Sequence, residues 1–427
     1  MLEILSKRIA KERVIATTSK VQSGCSGNVK PVSYIGALGR ATIRSTLLAI
    51  VSCRRVGMMA LRKKGYWQME PAVGSFDVEG GGGLPLQSVN RASLASAAAR
   101  RSFASKPPPL PTVPTCPSPT CECADMPTMP EGLEIDHKSP INGVIAGYAE
   151  QVLICTGKDD WPSKIEEENS GDNLAADLKE LFGRGGTYAD PFHNVALINS
   201  SLPSSIPPRA EVQSTSVYLF PSFKYVPFLP RVSFDHVQAL AKGYLLPEKL
   251  HSAHDGLSPV HRDILTRNDA YQSLLHGVQD VTDTLVLICG HGGRDMRCGI
   301  MGPLLRDEFE KQLERKGVEV LQGPIQIQAE EANQIVGESG AAKDTARVGV
   351  ISHIGGHKFA GNIIIYIPPG KKMADGSAHP FAGHGLWYGR VEPKHVEGLI
   401  EETIVKGKIV ADMFRGGIDP QRRILRL

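Results

Sequence analysis

Thr284–Cys289 (TLVLIC) is an unbroken apolar run closed by glycine, which predicts a buried strand. A shorter run, Val152–Cys155 (VLIC), predicts a second strand, preceded by another at Val144–Tyr148. Val195–Asn199 and Ser216–Phe220 read as further strands. Between them, Asp172–Phe182 carries Leu174, Leu178, Leu181 and Phe182 at helical spacing, with Gly183 as the stop. In the second half, Leu304–Lys316 places Leu304, Leu305, Phe309 and Leu313 on one helical face. Arg347–Ser352 and Asn362–Ile367 are strands flanking a glycine-rich loop. Pro393–Lys406 closes the pattern as a helix with Val396, Leu399, Ile400 and Ile404 near one stripe.

The order strand, helix, strand, strand, helix fits a small thioredoxin-like layer, and VLIC closing on Cys155 and again on Cys289 hints at two related halves. The expected fold class is α/β, with two thioredoxin-like domains at about 107–270 and 271–427. A length of 427 residues admits two or three domains of about 100–200 residues each. With 41% hydrophobic and 22% charged residues, wholesale disorder is excluded. No clean stretch of 18 apolar residues predicts a membrane span.

Residues 1–106 lack this pattern and differ in charge. They hold 17 Lys+Arg and 5 Asp+Glu, a net of +12, out of 48 and 45 in the whole chain, so the body is at −9. Asn90–Ser105 is rich in Ala, Ser and Arg and free of acids, the texture of a mitochondrial transit segment. The expectation is a largely disordered leader that directs import to the matrix or the intermembrane space. An acidic body argues against nucleic acid as a partner, because phosphate binding needs basic surface. Lys106–Pro119 is proline-rich and reads as a linker into the body.

The chemistry concentrates in two segments. CGHGGRDMRCG carries Cys289 and Cys298, and SHIGGHKFAGN carries His353 and His357. Both follow strands, so all four side chains are expected in loops that rigid elements aim at one point. Glycines there allow tight turns around a bulky inorganic centre. Two thiolates and two imidazoles suit tetrahedral zinc or a [2Fe–2S] cluster. A nine-residue offset is wide for structural zinc and better suited to a two-iron rhomb. A Rieske pair of boxes is excluded, since Met301 stands where the second histidine would be; His291 becomes a supporting residue. Arg294, Asp295 and Trp387 are further supporting candidates; Arg294, Asp295 and Arg297 either dock a redox partner or brace the loop, and bracing is the favoured reading.

CGHGGRDMRCG, SHIGGHKFAGNIIIYIP and LWYGRV resemble the sucrase/ferredoxin-like family of fungal thioredoxin-like ferredoxins, its mitochondrial member above all. The resemblance covers about 115–427 and is sharpest from Leu285 to Val391. It implies a [2Fe–2S] cluster held by Cys289, Cys298, His353 and His357, with the histidines on one iron. It also implies an electron-transfer protein working with donor and acceptor proteins, rather than a stand-alone enzyme. The family name implies no glycosidase, and no paired carboxylates argue for one.

Cys116, Cys121 and Cys123 form C-x4-C-x-C, one residue short of a plant-type ferredoxin spacing. With Cys155 they are the possible redox thiols of a rival reading, a thiol-disulfide protein. A structural zinc protein is the second rival. Trp161 and Pro162 are expected to serve packing. Cys25 and Cys53 fall in the leader.

Overall fold

A computed structural model describes residues 110–120, 122–169, 172–207, 212–327 and 344–427. The leader, with Cys25 and Cys53, and Cys121 lie outside the described residues.

The first half begins with β1 (Glu150–Cys155), α1 (Leu174–Phe182) and β2 (Val195–Ser200). It continues through β3 (Ser214–Phe220), β4 (Lys224–Pro230) and α2 (Phe234–Leu240). β1 and β2 are parallel, β3 runs antiparallel beside β1, and β4 antiparallel beside β3. After α3 (Pro259–Leu265) the second half repeats this connectivity. Its elements are β5 (Thr284–Cys289), α4 (Met296–Arg315), β6 (Thr345–Ile351), β7 (Ile363–Tyr366), β8 (Gly385–Tyr388) and α5 (Pro393–Leu399). β5 and β6 are parallel, with β7 antiparallel to β5 and β8 antiparallel to β7. β9 (Phe414–Ile418) adds on beyond β8.

The two halves share one mixed sheet of 12 strands, running β9-β8-β7-β5-β6-β2-β1-β3-β4 through its main members. The seam between them is a single antiparallel pair, Ser200 with Ile351. Side-chain alternation explains how the layers pack. Val152, Ile154, Val217 and Leu219 face a core shared with Leu174 and Leu178 of α1 and Val237 of α2. Leu153, Cys155, Tyr218 and Phe220 face the other way, into the core that contains β5 and α4.

Several elements depart from the sequence pattern. Val144–Tyr148 is not a strand: Gly143 N–H donates to the Arg415 carbonyl and Arg415 Nε to the Val144 carbonyl, so the segment serves as a brace for β9. α4 starts eight residues before Leu304, capped by the Asp295 carboxylate, which accepts the Arg297 N–H. The linker is docked: Thr112–Val113 pairs with Ile409–Val410 in a small parallel sheet, and Thr120 hydrogen-bonds Glu397. Residues 134–139 also bond to Arg297, Lys358 and Arg390, so this strap lies on the second half. Among the described residues, no helix is long and apolar enough to cross a membrane.

Candidate metal centre

Cys289 closes β5, and its backbone N–H is tied to the Asn362 carbonyl at 2.9 Å. Cys298 is not in a loop. It sits in the first turn of α4, where the helix dipole favours negative charge. Glycine lets the two approach. Gly299 and Gly302, on one face of α4, lie against Gly292 and Gly290 of the loop after β5. A Cβ on Gly302 would stand 2.3 Å from the Gly290 Cα, so no side chain fits there. The approach brings the two thiols near enough to act on one another. Cys298 hydrogen-bonds Cys289, which with His353 pulls the Cys289 thiol well below its ordinary value; the same bond and burial push Cys298 up. Both cysteines are fully buried and neither forms a disulfide.

The histidines follow β6. His357 opens a short 3-10 turn, His357–Phe359, rather than lying in open loop. The His353 and His357 rings are 5.4 Å apart between centroids. Each is half-buried, and the Nδ1 of each is buried without a hydrogen-bond partner. Buried ring nitrogens are ordinarily paired, and a lone pair left open on neutral imidazole is what a metal requires.

Arg415 anchors this loop from beneath. Its Nη1 donates to Asn362 Oδ1 at 2.7 Å and to the Gly355 carbonyl at 3.2 Å, and Asn362 Nδ2 donates to the Gly356 carbonyl at 2.9 Å. Gly356 has φ +73°, and a Cβ there would meet the guanidinium at 2.8 Å. Burial pushes Arg415 down to about 10, and the nearby Cys289 and Cys298 act the other way. A buried cation under the histidine loop suits an anionic group at this place. Trp387 is buried, and its ring contacts are Arg415 at 5.6 Å and Tyr148 at 6.1 Å.

The remaining supporting residues form a clasp between the halves. His291 Nε2 lies 2.9 Å from the Trp161 carbonyl and 3.0 Å from that of Pro162. Carbonyls only accept, so Nε2 carries the proton, and Nδ1 accepts the His353 N–H at 3.0 Å. Asp160 accepts the Gly293 N–H, Arg294 reaches Ser163 Oγ at 3.1 Å, and Arg306 bonds Asp159 at 2.9 Å. Asp295 forms a bidentate pair with Arg297, which holds its carboxyl below the usual range. Trp161 and Pro162 therefore position the loop, a role beyond packing. Arg415, Asn362 and Asp160 were not singled out from the sequence; a lone Arg in the apolar strand FRGGI was the available signal.

The possible redox thiols are scattered. Cys116, in the docked linker, packs against α5, its thiol 3.4 Å from the His395 carbonyl and pushed up to about 12 by burial and then by Asp412 and Glu402. Cys155 is buried at the end of β1, and burial raises its thiol strongly. Cys123 is half-exposed and unpaired, and Cys121 lies outside the described residues. Among the described residues, no three His, Cys, Asp or Glu side chains converge as around a single metal ion.

The chain thus has a twice-repeated α/β connectivity, with paired thiols and open imidazoles gathered beyond the ends of the adjacent strands β5 and β6. The profile of the sucrase/ferredoxin-like family matches residues 141–416, and the chain belongs to that family. The chain is similar to Altered inheritance of mitochondria protein 32 of Meyerozyma guilliermondii, 28% identical over 72% of this chain and 95% of that protein. The protein of the same name from Debaryomyces hansenii is 28% identical over 70% and 93%. That of Candida glabrata is 30% identical over 61% and 72%. No solved structure matches the chain.

Proposed function

We propose that the chain is a mitochondrial [2Fe–2S] electron-transfer protein, with Cys289, Cys298, His353 and His357 as ligands and both halves thioredoxin-like. The reading rests on one observation above all: His353 lies against the buried thiol pair, and His353 and His357, with rings 5.4 Å apart, each keep a buried Nδ1 without a hydrogen-bond partner. A two-iron cluster takes its protein ligands in two pairs, whereas structural zinc gathers four on one atom. Two cysteines come from the β5–α4 unit and two histidines from the turn after β6, and this grouping in pairs supports the cluster over zinc. When bound, such a cluster supplies one-electron storage at a potential above that of all-cysteinyl ferredoxins.

The chain's own residues do the rest. β5 and α4 keep water from the sulfur side. Arg415, buried beneath the histidine loop, would favour the more negative state of a group held there. The half-exposed histidines are the side open to donor and acceptor proteins. Mitochondrial placement is supported by the names of the relatives and by the basic leader. The thiol-disulfide alternative needs a low-pKa thiolate, and Cys116 and Cys155 are shifted the opposite way.

The test is the visible spectrum of chain purified without oxygen, with iron and sulfide assayed on the same sample. Charge-transfer bands bleached by dithionite, with about two irons and two sulfides per chain, are expected. A colourless chain carrying one zinc would replace the reading with the structural one.

A further inference from the structure

β2 has one finished edge and one open edge. Toward β1 it is paired along its whole length, Val195 with Glu150 through Ser200 with Cys155. On the other side its only ladder pair with β6 is Ser200–Ile351. The direction of the backbone groups follows from the bonds at either end. The carbonyls of Asn194 and Ser200 accept from Ala149 and Thr156, on the β1 side. The Asn199 carbonyl instead accepts the Ser352 N–H at 2.9 Å, and the Asn199 N–H donates to Ser352 Oγ at 3.0 Å, on the open side. In a parallel ladder alternate residues turn both groups the same way, so Val195 and Leu197 face outward with Asn199. No backbone partner meets them among the described residues.

α1 runs beside this edge, and the two enclose a groove of about 350 Å³. Ala175, Phe182 and Leu197 give it an apolar wall, with Lys179 and Arg184 at the rim. The charge of Lys179 is answered by Glu166. Arg184 has no ion-pair or hydrogen-bond partner among the described residues and stands just past the end of α1, near Val195. A strand edge facing a helix is the shape that accepts an extended peptide as an added strand, with backbone bonds for affinity and pockets for alternate side chains. The uncompensated cation fixes the charge of the occupant.

We propose that the groove between β2 and α1 docks an extended segment of a partner protein, paired to Val195 and Leu197, with an apolar side chain against Phe182 and a carboxylate at Arg184. This site is separate from the candidate metal centre and does not depend on what that centre holds.

The test uses the full chain and a fluorescent synthetic peptide of alternating valine and threonine, about six residues long like an ordinary strand, ending in glutamate with a free carboxylate. Anisotropy is expected to show saturable binding. Leu197→Pro removes an outward N–H and part of the apolar wall while leaving the backbone bonds to β1; with the fold checked by circular dichroism, it should weaken binding at least tenfold. Arg184→Glu, an exposed change that leaves the core intact, should do the same for the acidic peptide and much less for its amidated glutamine counterpart. Absence of saturable binding to the unaltered chain would overturn the proposal, as would equal binding by Arg184→Glu. A concentration-dependent dimer lost in Leu197→Pro would reassign the edge to a second copy of the chain.

Discussion

Cys155 and Cys289 stand on one row of the sheet: Cys155 pairs with Ser200, Ser200 with Ile351, and Ile351 with Cys289. Three inter-strand spacings separate them, about 14 Å. Each closes the first strand of its half, so they are equivalent positions of the repeated connectivity. Their environments differ. Cys289 meets Cys298 and His353, whereas Cys155 is enclosed and burial raises its thiol.

That contrast predicts alkylation behaviour. With iodoacetamide at about pH 8, near the ordinary thiol pKa, native chain should leave Cys155 unmodified and Cys116 slow, and both should react freely in denaturant. Mass spectrometry of the labelled peptides reads the outcome. Rapid native labelling of Cys155 would restore the thiol-redox reading.

Exchange of a histidine for cysteine tests the ligand assignment. His353→Cys or His357→Cys should retain iron and lower the reduction potential by on the order of 100 mV or more, since thiolate adds negative charge. The pH dependence of the potential should shrink with it. Spectroelectrochemical titration measures both, and an unchanged potential in both variants would remove the histidines from the ligand set.

His291 ties the His353 backbone to the carbonyls of Trp161 and Pro162. His291→Ala should keep the fold and weaken metal retention by roughly 10–100-fold, the usual cost of losing an orienting group. Iron loss to a chelator, followed against time, gives the ratio; His291→Gln should recover part of it. Loss indistinguishable from the unaltered chain would confine His291 to packing.

Gly302→Ala tests the approach of α4 to its loop. The added Cβ meets backbone at 2.3 Å, so the helix must move. A destabilisation of about 1–3 kcal/mol is expected, with Cys298 drawn away from Cys289. Denaturant midpoints would show the first effect. A rise in Cys289 thiol pKa, read by ultraviolet thiolate absorbance in metal-free chain, would show the second.

Acid should destabilise the fold before its carboxylates titrate. Burial lowers His193, His379 and His395 below their ordinary value. Their unfolded forms therefore bind protons first, so the stability they confer is complete above about pH 6.5 and is lost as pH falls through the depressed folded values. Urea midpoints of metal-free chain should drop between about pH 7 and pH 5, and His379→Gln should flatten that slope. A slope unchanged by the substitution would exclude His379 as a contributor.

β5 was legible to its last residue because a buried parallel strand leaves an apolar run and glycine closes it. β4 was not, since Pro227 and Pro230 argue against a strand. Proline is tolerated there because β4 meets a second partner only at Lys224 and Tyr225. The first turns of α4 hid behind Gly299, Gly302 and Pro303, all poor helix formers that close packing retains. The four candidate ligands were visible because they fall in two glycine-rich segments that follow β5 and β6, although Cys298 proved to be in the first turn of α4. The clasp was not: Trp161 and His291 are 130 residues apart, and no local pattern records a bond between halves.

The glycine contact between α4 and its loop bears on how the centre comes together. Cys289 and Cys298 belong to one contiguous strand–loop–helix unit, Thr284–Arg315, whose contacts are local and therefore quick to form. The imidazoles arrive only once β6 has docked beside β5. A group held by both pairs can thus be met by sulfur on a partly assembled chain and closed over by histidine afterwards, so that capture and completion become separable stages of biogenesis.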